Sequence, residues 1–349
     1  MTREELEEYL RRFGSHALAF SALQQGMSHF TIKGVGYIPY ATLDADPAIV
    51  YVLSNPISAK EDYAQITLEF IKEFPRAIFV QVTEEYAEVL DSLGFYVNEL
   101  GYETEISLKD FSFSGRIKED LRRGLKRAAN LGMVVEEVTD IAGIAGELNE
   151  VSKDWMSTKT INSRELWFVA RPAVYEEEPG VRKFVARLKG SVEGFVFFDP
   201  MYSEGKVYGY HLEILRARRD AHPSTRRLII KKAVEIFRSE GHEILSLGIS
   251  PELKKREERF RYNPVTRYTL ELLYKYGNSI YPFKNLTFAK SRYGGGMRDG
   301  EYRDANVRKK KVYFAHRARL PLREIFGAGK LTGVTNGLIP TLTRRMDNC

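Results

Sequence analysis

His211 and Glu213 stand two residues apart in the alternating run 206–215. On a strand, that spacing puts both side chains on one face. A carboxylate beside an imidazole suits proton removal from a hydroxyl or amine. Glu213 can serve as that general base or as a carboxylate that holds an amine; an ion pair with Arg216 or Arg218 is its structural alternative. For His211 the simpler role is a histidine that satisfies its own hydrogen bonds. Lys290 and Arg292 repeat the two-residue spacing in a segment read as a strand. They would project together, either gripping a phosphate or guarding a solvated strand edge. Asp154 and Trp155 fall late in a helix predicted over 141–156. Asp154 can bind an amino group or cap its helix, and Trp155 can stack on a base or headgroup or fill core.

Positioning these residues requires a strand, a charged loop and a helix. Residues 191–198 and 206–215 read as paired strands around a turn at 200–205. The loop 216–224 carries Arg216, Arg218, Arg219 and Ser224, and a helix over 225–240 follows. A helix N-terminus presents unpaired N–H groups and a partial positive charge, which suit an anion. Gly241 stops that helix before a strand at 243–247. The same helix–Gly–strand order occurs at 84–97, with Gly94 as the stop, so the chain reads as two lobes of one style. The first lobe has strands at 37–40, 48–53, 77–82, 95–97 and 103–108, and helices at 63–74 and 84–93. A helix over 116–132 carries Arg122, Arg123, Lys126 and Arg127 on one face by their spacing, either as a connector between the lobes or as a solvated face. After Leu320 the sequence gives little sign of order.

The totals fit such a molecule. The 349 residues accommodate two domains, and 43% hydrophobic with 29% charged residues describes a globular protein. The net charge of +6 favours an anionic partner. It is local: residues 284–319 hold 11 Lys or Arg against 3 Asp or Glu. Arg308–Lys311 adds to this surface, and Gly294–Gly296 gives a turn without the Lys-Ser/Thr of a P-loop. The one cysteine, Cys349, excludes a disulfide framework within the chain and points to a reducing compartment. The six histidines show no metal spacing, no run is long and apolar enough to span a membrane, and the acidic N-terminus reads as a helix rather than a signal peptide.

Three stretches carry a resemblance. They are Ser152-Lys153-Asp154-Trp155-Met156 followed by Lys159 and Glu165; Glu213 through Ala221, running on to Leu247-Gly248-Ile249-Ser250-Pro251; and Tyr281 through Leu286, then Phe288 through Tyr293. In this order and spacing the chain resembles the C-terminal domain family of phosphatidylglycerol lysyltransferases over about residues 15–319. Gly26–Tyr40 and Gly101–Gly115 are also similar to it. The resemblance implies an α/β fold of tandem GNAT-like acyltransferase lobes with mixed sheets flanked by helices. It sets a structural lobe at 1–115, a basic connecting helix at 116–134, a catalytic lobe at 135–319 and a tail at 320–349. It also implies aminoacyl-tRNA as donor and a hydroxyl of an anionic phospholipid such as phosphatidylglycerol as acceptor, at the inner membrane face of the cytoplasm. Glu213 matches an acidic family position, and Lys290 and Arg292 match at both of theirs. The loop of acetyl-CoA enzymes in this superfamily reads Gln/Arg-x-x-Gly-x-Gly/Ala. Here Arg219, His222 and Ser224 stand in it, so acetyl-CoA is disfavoured, and neither a cofactor nor a metal is expected. Arg227 also departs from the family, where Asp is common. Two rival expectations remain: a soluble small-molecule acceptor, and a non-catalytic module that binds tRNA or membrane.

Overall fold

The computed structural model describes residues 1–158, 165–251, 259–276 and 283–333. Lys159, Tyr281, Pro282 and the stretch 334–349, with Cys349, lie outside the described residues. The first half runs α1 (Arg3–Phe13), β1 (Ser28–Ile32), β2 (Gly36–Leu43), β3 (Asp46–Leu53), β4 (Ile57–Ser58), α2 (Tyr63–Glu73), β5 (Ala77–Thr83), α3 (Glu84–Ser92) and β6 (Tyr96–Ser107). The second runs α4 (Glu119–Asn130), β7 (Val134–Glu137), α5 (Ala145–Ser157), β8 (Arg182–Leu188), β9 (Ser191–Ser203), β10 (Lys206–Ala217), α6 (Thr225–Ser239), β11 (Ile244–Ser250), α7 (Pro264–Tyr276) and α8 (Phe283–Ser291). It closes with a short ribbon, β12 (Met297–Arg298) and β13 (Glu301–Tyr302), then β14 (Val307–His316) and α9 (Leu322–Leu331).

Twelve of these strands form one sheet, in the order β1-β2-β3-β5-β14-β6-β11-β10-β9-β8-β7, with β4 attached to β2. Its pairs are antiparallel except at two junctions, β3 with β5 and β10 with β11. Each parallel pair is bridged by a helix, α2 or α6, as a parallel crossover requires. Each half therefore contains one β-α-β unit. The helices bury the faces their sequences dictate. α2 hides Tyr63, Ile66, Phe70 and Ile71, and α6 hides Ile229, Ile230, Ala233, Val234 and Phe237. Full burial of each large side chain contributes about 1.5–3 kcal/mol. In α4, Leu121, Leu125 and Ala128 turn inward, while Arg123, Lys126 and Arg127 stay exposed. Gly94 and Gly241, both at φ +85°, close α3 and α6 in the left-handed conformation that glycine adopts most readily.

Several expectations need correction. The strands expected at 95–97 and 103–108 are one strand, β6, paired on both flanks by β14 and β11. Pro200 lies within β9, opposite Tyr210, rather than in the turn. It is tolerated there because β8 pairs with β9 no farther than Phe198, leaving Pro200 on a free edge. The turn itself narrows to Glu204 and Gly205, both at positive φ. Residues 284–291 are helical, not a strand. After Leu320 the chain forms α9, which buries Ile325, Ala328 and Leu331. The division expected at 115 and 134 runs along the chain. In space, β14 sits between β5 and β6.

Candidate functional site

The parallel junction in the second half sets the geometry. β10 and β11 pair for only three residues, Gly209–His211 against Ile244–Ser246. Beyond them β11 continues along β6 with an irregularity between Ser246 and Ile249. The two strands therefore part at His211, leaving a wedge between them. Gly248 lies in the irregular stretch at φ +78°. A Cβ on Gly248 would stand 3.2 Å from His211 Cε1 and 3.6 Å from Lys290 Nζ. Glycine thus lets an imidazole and an amine approach the same point of backbone.

The groups around the wedge are buried and paired. His211 Nε2 lies 3.1 Å from Glu213 Oε2, and its Nδ1 lies 3.1 Å from Ser246 Oγ. Burial alone would depress the imidazole's pKa. The hydrogen bond and charge of Glu213, with Glu103 and Asp199 farther off, raise it above the usual histidine value. His16, fully buried nearby, is driven down to about 3 by burial and by the charge on His211. Glu213 Oε1 accepts the backbone N–H of Arg171 at 2.6 Å. Its partners are therefore His211 and Arg171, not the Arg216 or Arg218 of the alternative ion-pair reading. Arg171 in turn grips Asp199 through two bonds of 2.8 and 2.6 Å and reaches Glu178 at 2.8 Å; Lys183 completes the network on Glu178 at 2.8 Å. Two cations and two carboxylates balance, and Asp199 holds the buried Arg171 firmly in its charged form. Arg171 also walls a cavity of about 330 Å³ beneath α1, shared with Arg3, Arg11, Phe20 and Tyr202.

Lys290 reaches the wedge from α8, where its Nζ donates to the Ile249 carbonyl at 2.6 Å. Burial lowers its pKa to about 7, against the pull of Glu103. Lys290 and Arg292 do not project together. Arg292 lies past the helix end, partly exposed, with its guanidinium 4.7 Å above the Phe288 ring.

The remaining expected residues fall into separate groups. Arg216 pairs with Glu165 at 2.7 Å and lies 5.3 Å over the half-buried Trp155. Asp154 does not cap α5; it accepts the backbone N–H of Arg219 at 2.6 Å and so ties the 216–224 loop to that helix. Arg218 donates to the Val192 carbonyl and reaches Glu150 at 3.5 Å. Ser224 is buried at the start of α6. Much of the basic run at 308–311 is engaged within β14's neighbours: Arg308 and Lys310 both meet Glu105, and Lys311 meets Glu99. Arg171, Asp199 and Ser246 gave no signal in the sequence, since Arg171 lies 42 residues from the carboxylate it binds.

The chain matches the family described as phosphatidylglycerol lysyltransferase, C-terminal, over residues 7–299. It belongs to that family. The phosphatidylglycerol lysyltransferase of Bacillus subtilis is 22% identical over 260 residues, covering 71% of this chain and 29% of that protein. The chain thus spans about a third or less of the curated relatives it matches. Among solved structures, L-PGS from Bacillus licheniformis superimposes with a TM-score of 0.77 at 19% identity, covering 96% of this chain and 98% of that one. The C-terminal domain of a putative lysylphosphatidylglycerol synthetase from Agrobacterium fabrum gives 0.74 at 19% identity, with the same coverage of 96% and 98%. The fold is mixed α/β, as the sequence implied, and it is shared with both of these solved domains. Among the described residues, no helix is long and apolar enough to cross a membrane.

Proposed function

We propose that this domain moves an aminoacyl group from aminoacyl-tRNA to the hydroxyl of a phospholipid headgroup, with phosphatidylglycerol as acceptor, from the inner face of the membrane. The observation that carries the reading is the Lys290 amine held beside the hydrogen-bonded His211–Glu213 pair where β10 and β11 part. The donor ester is already activated, so holding both substrates in the wedge supplies much of the rate, roughly 7–11 kcal/mol in well-oriented systems. The acceptor oxygen attacks the ester carbonyl carbon, and the bond from that carbon to the ribose oxygen breaks. The acceptor's proton passes to the neutral Lys290 amine and then to the departing ribose oxygen. An amine with a pKa of about 7 is suited to both transfers. Glu213 raises the pKa of His211, and in its protonated form the imidazole would stabilise the negative oxygen that develops on the carbonyl. This moves the base assigned to Glu213 from the sequence onto Lys290.

The test is lipid extraction and mass spectrometry after incubating the protein with charged total tRNA and phosphatidylglycerol vesicles. An aminoacylated lipid should form, ribonuclease should abolish it, and acetyl-CoA should not replace the tRNA. Lys290→Met should lower turnover by roughly 10²–10⁴-fold with folding retained, the range for loss of a group serving proton transfer. Robust acetyl transfer without RNA would sink the reading. The cavity beside Arg171 favours a second acceptor class, because about 330 Å³ suits a small molecule. A metabolite product in place of a lipid product would select it.

A further inference from the structure

Three arginines converge near the start of α6 with no acidic partner. Arg226 and Arg227 occupy the first turn of that 15-residue helix, and Arg292 follows α8. Among the described residues, none of the three forms an ion pair. Asp120, which feels the charge of Arg292, is itself bound to Arg123. Burial presses Arg227 below the usual arginine value, and the like charges of Arg292 and Arg226 press it further. Grouped cations without a carboxylate are unfavourable unless an anion joins them.

Two hydroxyls sharpen the point. Ser224 is 2% exposed, and its Oγ makes no hydrogen bond among the described residues. It would lie 2.5 Å from a Cβ at Gly124 of α4, and Arg227 Nη1 3.3 Å from the same point. The missing side chain at Gly124 thus brings the serine and the guanidinium together against α4. The Tyr293 hydroxyl is buried with no hydrogen-bond partner among the described residues, and it lies within the fields of Arg227 and Arg226. The N–H groups of Arg226 and Arg227 have no acceptor inside the helix, because first-turn amides never do. Fork-shaped cations, hydroxyls and free amides are a donor set for a phosphate.

We propose that this cradle binds a phosphodiester of the tRNA acceptor strand, in place of the glycine-rich pyrophosphate loop that the chain lacks. The assignment rests on the aminoacyl-tRNA reading above. Two neighbours favour an RNA strand over a lipid headgroup. The exposed Arg127, three residues on from Gly124 and so on the same side of α4, extends the positive charge. Phe288, 61% exposed beneath Arg292, offers a ring face for a base. A cationic track with an aromatic platform is the arrangement that holds single-stranded ends.

The experiment measures binding of an uncharged acceptor-stem minihelix ending in CCA, by fluorescence anisotropy over a salt series, with the full chain. Arg226→Ala/Arg227→Ala should weaken binding and flatten the salt slope by roughly 1.4, at about 0.7 per single-strand phosphate contact. Arg227→Lys should keep part of the slope and lose affinity, because the fork is gone. If the double variant unfolds, the single Arg226→Gln change at an exposed side chain should still flatten the slope by roughly 0.7. Wild-type affinity and slope in a folded variant overturn the site, as does failure of the wild type to bind the minihelix. Loss of phosphatidylglycerol vesicle binding with RNA binding intact also overturns it, in favour of a headgroup. The transfer assay separates the two readings. RNA binding lost in the variants while the wild type transfers nothing supports the cradle and defeats the reaction. Transfer by the wild type with RNA affinity intact in the variants defeats the cradle alone.

Discussion

Lys290 is a buried amine whose charge state bears on both stability and chemistry. Its folded pKa, about 7, lies below the ordinary 10.5, so the unfolded chain binds more protons between those values. Stability therefore rises with pH across that window, and the full penalty for the buried ammonium falls below pH 7. At about 1.4 kcal/mol per pH unit, the penalty is on the order of a few kcal/mol. Lys290→Met removes it, at a cost of about 1 kcal/mol for the Ile249 carbonyl left without its donor. The larger effect wins at low pH. The variant should be the more stable protein at pH 6, with a margin that shrinks steadily toward pH 10, read by urea denaturation at each pH. The wild type's transfer rate should rise as pH passes about 7, and the variant should lack that rise. A margin independent of pH would mean that Lys290 stays charged in the fold, and it would remove the amine from the proton transfer.

At the scale of elements, one glycine decides whether the wedge exists. Gly248 combines φ +78° with a Cβ position 3.2 Å from His211 Cε1 and 3.8 Å from the Leu212 carbonyl. Gly248→Ala therefore meets backbone strain and a crowded imidazole together. Left-handed strain costs about 1–3 kcal/mol, and the contact can be relieved only by moving His211 off Glu213 or Ser246. Transfer should fall by at least tenfold while the melting temperature drops by only a few degrees; unchanged kcat with a lowered melting temperature would make Gly248 purely structural. The same region marks what the sequence could and could not convey. Alternation along 206–215 placed His211 and Glu213 on one face, and Gly241 announced the end of α6, because these are local signals of backbone period and turn chemistry. The segment 284–291 misled. Its mixture of aromatic, apolar and basic residues fits a strand or a helix, and packing of α8 against β11 settles the matter. That change of period removed the shared face expected of Lys290 and Arg292 and turned Lys290 inward. Arg171 was illegible for another reason: it acts through a backbone N–H and a buried network, and neither leaves a mark on neighbouring residue types.

The whole molecule is held as one sheet by its last strand. β6 pairs with β11 on one side and with β14 on the other, and β14 also pairs with β5. Every strand of the first half beyond β6 therefore joins the second half through β14. The repeated helix–Gly–strand order read from the sequence falls on α3–β6 and α6–β11, whereas the parallel unit of the first half runs through α2, and the strand that joins the halves comes from residues 307–316. Removing β14 would expose the edges of β5 and β6 and take Tyr313 and Ala315 out of the first-half core. Unpaired central strands leave rows of buried N–H and C=O groups without partners, each costing about 1–3 kcal/mol. That sum exceeds the 5–15 kcal/mol by which domains are ordinarily stable. A chain ending at Asp304 should therefore fail to fold in either half, and one ending at Gly333 should melt as a single cooperative transition. Circular dichroism and calorimetry on the two truncations read the outcome directly. A folded, cooperatively melting fragment ending at Asp304 would show that the two halves stand without β14, and the wedge would then need only its own half of the sheet.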